Sequence, residues 1–99
     1  MATLAHLQRD FRRRFSTAGA GFGGRVTSYI RSVEHNRRVG GHPRSQHLYG
    51  LAADIVPLVS ERSSLKRAMR AQGLVVIDEG DHVHVQLLRA GQLEHLIDV

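Results

Sequence analysis

The sequence predicts an α+β domain: a small antiparallel sheet with helices packed on one of its faces. Three observations predict it. Leu4, Leu7, Phe11 and Phe15 recur at spacings of three and four, the period of a helix with one apolar side. Short apolar runs bounded by Gly, Pro and Asp cluster after residue 50, as strands do. A second helical pair, Leu65 and Met69, falls between two of those runs. The 99 residues are enough for one core and too few for two, so residues 1–99 read as a single domain.

The elements follow in order. The first helix is expected over residues 3–15, with Thr3 as its cap. Arg9, Arg12, Arg13 and Arg14 then gather toward its C-terminal end, where the helix dipole favours cations, and read as a solvated face. Residues 16–24 hold four glycines and read as a connecting loop, with no Gly-x-x-x-x-Gly-Lys pattern for phosphate. Residues 26–30 read as a strand and 33–39 as a short helix stopped by Gly40-Gly41. Residues 42–46 read as a turn, because Pro43 drives His42 out of helical geometry. A buried strand is expected over 51–56, ending at Pro57, then a helix over 60–71 stopped by Gly73. Strands over 74–77 and 82–88 flank a turn at Asp78-Glu79-Gly80. Leu93, Leu96 and Ile97 suit a last helical turn or a packed tail.

Composition narrows the chemistry. Cysteine is absent, so neither a disulfide nor a thiolate ligand is available, and histidine and aspartate are the plausible metal donors. The net charge of +5, carried mostly by arginine, suits a polyanion such as nucleic acid, an anionic membrane or a bacterial cell wall. No aromatic-and-basic platform of the kind that binds single strands is seen, and nucleic acid is not the expected partner. No stretch is long enough to span a membrane, and no apolar run of a signal peptide precedes the first charges. A substrate outside the cytoplasm would then need another protein, or a larger particle, to deliver this one. A monomer is expected.

Two stretches carry the chemistry. Ser45-Gln46-His47-Leu48-Tyr49-Gly50-Leu51-Ala52-Ala53-Asp54 offers a histidine and, seven positions on, an aspartate. Asp54 sits in an otherwise apolar run, where a carboxylate is costly unless paired or bound to a cation. About thirty residues later, Asp81-His82-Val83-His84-Val85 places His82 and His84 on one face of a strand, with Val83 and Val85 on the other. Two imidazoles and one carboxylate are a donor set that zinc takes in catalytic sites, with a fourth position left to water. On these grounds either His82 or His84 can serve beside His47 and Asp54.

The spacing Ser-x-His-x-x-Gly-x-Ala-x-Asp, here Ser45, His47, Gly50, Ala52 and Asp54, followed by His-x-His at His82 and His84, resembles the M15 metallopeptidases. These are the D-alanyl-D-alanine carboxypeptidases and endolysin-type peptidases of the LAS group, which also includes the hedgehog signalling domain. The lead-in Thr27-Ser28-Tyr29-Ile30-Arg31-Ser32 and the stretch Asn36-Arg37-Arg38-Val39-Gly40-Gly41 are similar too, and the resemblance runs from about Val26 to Leu87. It implies a hedgehog/D-Ala-D-Ala peptidase-like fold whose sheet carries one zinc ion on His47, Asp54 and His84. It implies a peptidoglycan peptide containing D-amino acids as substrate, and a source such as phage-borne cell-wall enzymes.

The resemblance also assigns roles. Asp81, three residues before His84, stands where the family places its acidic base, with Glu79 as rival and Asp78 behind it. His82 donates to the oxyanion or steadies the water. Arg31 suits a substrate carboxylate or carbonyl through its planar fork. Ser45 hydrogen-bonds substrate or a ligand carboxylate, and Gly50 lets the backbone approach closely. His6, His35, His42 and His95 read as surface residues. The competing class is a non-catalytic zinc-containing binding module of the same fold. The acids beside the second motif favour an enzyme.

Overall fold

The computed structural model describes residues 3–30, 32–41, 45–89 and 91–92. Its elements are α1 (Leu4–Gly19), β1 (Arg25–Ser28), α2 (Val33–Arg38), a 3-10 turn (Gln46–Tyr49), β2 (Ala52–Val56), a second 3-10 turn (Val59–Glu61), α3 (Arg62–Ala71), β3 (Val75–Asp78) and β4 (Val83–Gln86). The four strands form one antiparallel sheet in the order β1-β2-β4-β3. The two strands at its centre are those that carry Asp54 and His84.

Strand alternation sorts the residues of this sheet. Ala53 and Ile55 of β2 and Val83 and Val85 of β4 face the long helices and join Phe11, Ala18, Leu65, Met69 and Leu74 in the main core. Each fully buried Val, Leu or Phe side chain contributes about 1.5–3 kcal/mol, so this layer dominates the stability. The intervening residues Ala52, Asp54, His84 and Gln86 face the other way and pair across the β2–β4 ladder. Leu7, Leu51 and Leu88 make a smaller cluster beside the sheet, covered by Leu4, Tyr49 and Leu87.

Several boundaries differ from expectation, each for a local reason. Thr3 caps α1, with its Oγ1 accepting from the His6 N–H at 3.1 Å. The helix runs through Gly19 rather than Phe15, because Ala18 belongs to the core and the chain gains by staying helical until it is buried. The arginine run is therefore in mid-helix, and the dipole is not its explanation. Arg13 and Arg14 bond Asp10, and Arg14 also donates to the Gln72 carbonyl at 3.0 Å, tying α1 to the end of α3. The glycine-rich connector is correspondingly shorter. Gly24 within it has φ +101°, and a Cβ there would lie 2.5 Å from the Val56 carbonyl, where β1 meets the end of β2.

The other elements fall close to prediction. β1 begins at Arg25 and is irregular between Val26 and Ser28, which brings Ser28 opposite Asp54. The expected turn gives way to a 3-10 turn at Gln46, and His42 and Pro43 lie outside the described residues, as do Leu93, Leu96 and Ile97. Helix α3 is preceded by its own 3-10 turn, and its Leu65 and Met69 face the core. Asp78 is the last residue of β3 rather than the first of the turn. β4 is shorter than residues 82–88 at both ends, so His82 stands just before it. Among the described residues no helix is long and apolar enough to cross a membrane.

Candidate metal centre

His47 comes from the 3-10 turn, whose cap is Ser45: the Ser45 Oγ accepts from the His47 N–H at 3.2 Å. The turn closes on Gly50, which adopts φ +69° in the left-handed region and passes the chain straight into β2. A Cβ at Gly50 would also crowd the Gln8 amide at 3.3 Å. Glycine is required here by the turn's geometry. Asp54 and His84 are register partners on β2 and β4.

These three side chains converge. His47 Nε2 lies 3.1 Å and His84 Nδ1 3.0 Å from Asp54 Oδ1, and one ligating atom from each residue can be chosen with all three within 4.8 Å of one another. Two donors each about 2.0–2.1 Å from one tetrahedral zinc stand roughly 3.3 Å apart, close to both separations from Asp54 Oδ1. His47 and Asp54 are buried and His84 is half-buried.

The hydrogen bonds behind the ligands fit a cation. His47 Nδ1 meets the Tyr29 carbonyl at 2.8 Å and must hold a proton there, leaving a lone pair on Nε2. His84 Nε2 meets Gln86 Oε1 at 2.7 Å, and the Gln86 amide nitrogen donates to the Leu88 carbonyl at 2.6 Å. His84 Nε2 therefore holds a proton, and its Nδ1, now 3.0 Å from Asp54 Oδ1, is the nitrogen whose lone pair a metal ion would take in place of a proton. Two imidazole nitrogens thus meet one carboxylate oxygen, an arrangement that needs protons or a cation between them.

Electrostatics agrees. Burial pushes the Asp54 carboxyl up, but its contacts with His47 and His84 outweigh that and hold it well below the usual carboxylate range. Burial pulls the His84 imidazole down, yet Asp54 and Gln86 together raise it above its ordinary value. The ionised carboxylate thus draws a cation in, and a proton on His84 is what a metal ion would displace.

The remaining predicted residues take distinct places. His82 is half-buried and faces the centre, with Nε2 3.9 Å from Asp54 Oδ1. Asp81 is exposed, and its Oδ1 lies 2.6 Å from His82 Nδ1. Glu79 is also exposed, and its charge helps to raise His84. Asp78 is engaged elsewhere, held by Arg62, by Lys66 at 2.9 Å and by the Gly80 N–H at 3.0 Å. That removes it as a candidate base. Arg31, like His42 and His95, lies outside the described residues, while His6 and His35 are exposed.

Three contributors went unnoticed in the sequence: the Tyr29 carbonyl, Gln46 and Gln86. Gln86 had a signal, since it continues the two-residue period of His82 and His84 along one face. Gln46 is buried, bonding the Leu88 backbone with both ends of its amide. Nothing in its local pattern marks it. A backbone carbonyl such as that of Tyr29 leaves no mark on sequence at all.

The sequence profile of the peptidase M15 family matches residues 11–86. No curated protein and no solved structure matches the chain. The matched segment begins within α1 and runs through β4, so it spans the core, the sheet and every member of the His47–Asp54–His84 cluster. The chain belongs to the peptidase M15 family.

Proposed function

We propose that this protein is a zinc-dependent peptidase that hydrolyses a peptidoglycan peptide bond involving D-amino acids. The observation that carries the reading is the convergence of His47 Nε2, Asp54 Oδ1 and His84 Nδ1, with each histidine held from behind by a hydrogen-bond partner. Zinc held by these three would polarise the scissile carbonyl and bring the pKa of a bound water toward neutrality.

The chain's own residues supply the rest. Proton transfer falls to the carboxylate and imidazole at the mouth of β4. Asp81 is the base, and its 2.6 Å contact with His82 Nδ1 keeps that imidazole turned so that Nε2 faces the centre. From there His82 Nε2–H can donate to a developing oxyanion. Arg31 takes the substrate carboxylate or a backbone carbonyl with its fork. The Ser45 hydroxyl accepts from His47 N–H and keeps its own proton for a substrate oxygen. The protein acts on the cell wall, in the manner of the endolysin-type members of the family and from a phage-like source.

Incubating the zinc-loaded protein with purified muropeptides and weighing the fragments tests this. Peptides split at a D-amino-acid bond, each pair of fragments together heavier than the parent by one water, are expected. Intact peptides with zinc verifiably bound would replace the enzyme by a non-catalytic zinc-containing module of the same fold.

A further inference from the structure

The sheet ends at β1, and no other strand of the described residues pairs with its outer side. Arg25, Val26 and Thr27 are all exposed there. An edge strand turns part of its N–H and C=O groups outward, where a further strand can bond them. Beside this edge, between β1 and α1, lies a cavity of about 240 Å³. Phe11, Phe15, Val26, Tyr29 and Ala53 give it apolar walls. Val26 belongs to both features: it pairs with Ile55 on the core face of the sheet, yet is 49% exposed. Ala53 lines this cavity while the next residue, Asp54, faces the metal centre, so the sheet separates the two.

Edge and cavity suit one kind of ligand. A strand added about 4.8 Å beyond β1 would put the side chain opposite Val26, and those two residues away on either side, on the helix face. They would lie over the cavity. A cavity of about 150 Å³ admits benzene, so this one takes a whole Phe or Leu side chain. Main-chain bonds along an edge, with a pocket for alternate side chains, are the two parts of recognition by strand addition.

Charge adds a third condition. The polar members of the lining are Arg12 and Ser16. Asp10 engages Arg13 and Arg14 of the same helix, but Arg12 is exposed and has no ion-pair partner among the described residues. An acid two residues from the apolar anchor of an added strand falls on the same face as that anchor, where Arg12 stands.

We propose that the groove between β1 and α1 is a docking site for an extended segment of another protein. The segment adds to β1 as a fifth strand, sinks one large apolar side chain into the cavity and sets an acid two residues away against Arg12. The site lies across the sheet from the metal centre and does not depend on the metal reading.

The test titrates the whole isotope-labelled chain with the blocked peptide Thr-Val-Thr-Phe-Thr-Glu-Thr and follows the backbone amides by NMR. Shifts should gather on Arg25, Val26 and Thr27 and on Arg12 and Phe15. The isomer Thr-Val-Thr-Phe-Glu-Thr-Thr turns Phe and Glu to opposite faces and should bind about fivefold more weakly, the upper worth of an exposed ion pair. N-methylation of the peptide amides that face β1 should weaken binding about tenfold, as two or so lost hydrogen bonds would. Arg12 is exposed, so Arg12→Glu leaves the core intact, and it should prefer the peptide with Lys in place of Glu. Equal binding of the two isomers would overturn the proposal, and so would an Arg12→Glu protein with the parent's preference, or no shift at about millimolar peptide. Shifts gathered on His47 and His84 would overturn it by moving the peptide to the metal centre. Concentration-dependent dimerisation with shifts on β1 in the absence of peptide would give the groove to a second copy of this chain. Contacts between Leu96 and Phe15 in the peptide-free chain would give it to the chain's own tail, and either result would replace the proposal.

Discussion

Asp54 and His84 face each other as register partners on the two central strands, with Oδ1 and Nδ1 3.0 Å apart. Two of the three residues of the candidate centre thereby sit on the central strand pair of the sheet. His47 alone arrives from a turn, and its position depends on the Ser45 cap and the Tyr29 carbonyl.

Removing a ligand should empty the centre. His84→Ala is expected to reduce bound zinc from about one ion per chain to a trace, because two remaining protein donors hold zinc poorly. Metal analysis of the purified variant checks this, and full zinc occupancy would refute the assignment. In the parent, stripping zinc should also lower stability. The three ligands meet only in the native state, so binding is linked to folding. An ion at a hundred times its dissociation constant stabilises by about 2.7 kcal/mol, and each kcal/mol is about 4–8 °C for a domain of this size. A chelator should therefore lower the melting temperature by roughly ten degrees or more. An unchanged melting curve after verified metal removal would separate the metal from the fold.

Asp81→Asn keeps the size and the contact with His82 but cannot take a proton at neutral pH. Zinc content should stay the same while hydrolysis falls by about two to four powers of ten, the usual worth of a positioned base. Glu79→Gln is the comparison, since Glu79 is the nearest other acid. The reverse pattern, with Glu79→Gln inactive and Asp81→Asn active, would exchange their roles.

Arg31→Lys keeps the charge and loses the fork. Turnover should drop about a hundredfold, a common cost of a misplaced substrate, with zinc content unchanged. Equal turnover in steady-state assays would make Arg31 one more surface arginine.

Asp78 makes a prediction about acid. The Arg62 guanidinium, with Lys66 and the Gly80 N–H, holds its carboxyl well below the usual carboxylate range. A carboxyl depressed in the folded state contributes stability that is present above its unfolded value, about 3.9, and is lost as pH falls through the folded value. Asp78→Asn should therefore lower the melting temperature at neutral pH and leave a smaller difference from the parent in strong acid. Melting curves across pH would check it. A gap that widened toward low pH would contradict the sign.

The sequence by itself determined which residues line which face. Alternation in 52–56 and 82–86 separates Ala53, Ile55, Val83 and Val85 from Asp54, His82 and His84, because a pleated strand has no other way to point its side chains. The helical period likewise marked Phe11, Leu65 and Met69 for the layer that covers the sheet. The end of α1 was less legible. Four glycines between Gly19 and Gly24, both included, suggest a loop, yet burial of Ala18 outweighs the propensity of the residues around it. Only the tertiary structure decided how the ligands are aimed. Gln46 meets Leu88 across 42 residues, and the Tyr29 carbonyl meets His47 across 18. Such contacts follow from where separate elements come to rest. The identity of neither partner marks them in the local sequence, and a backbone carbonyl has no identity to read.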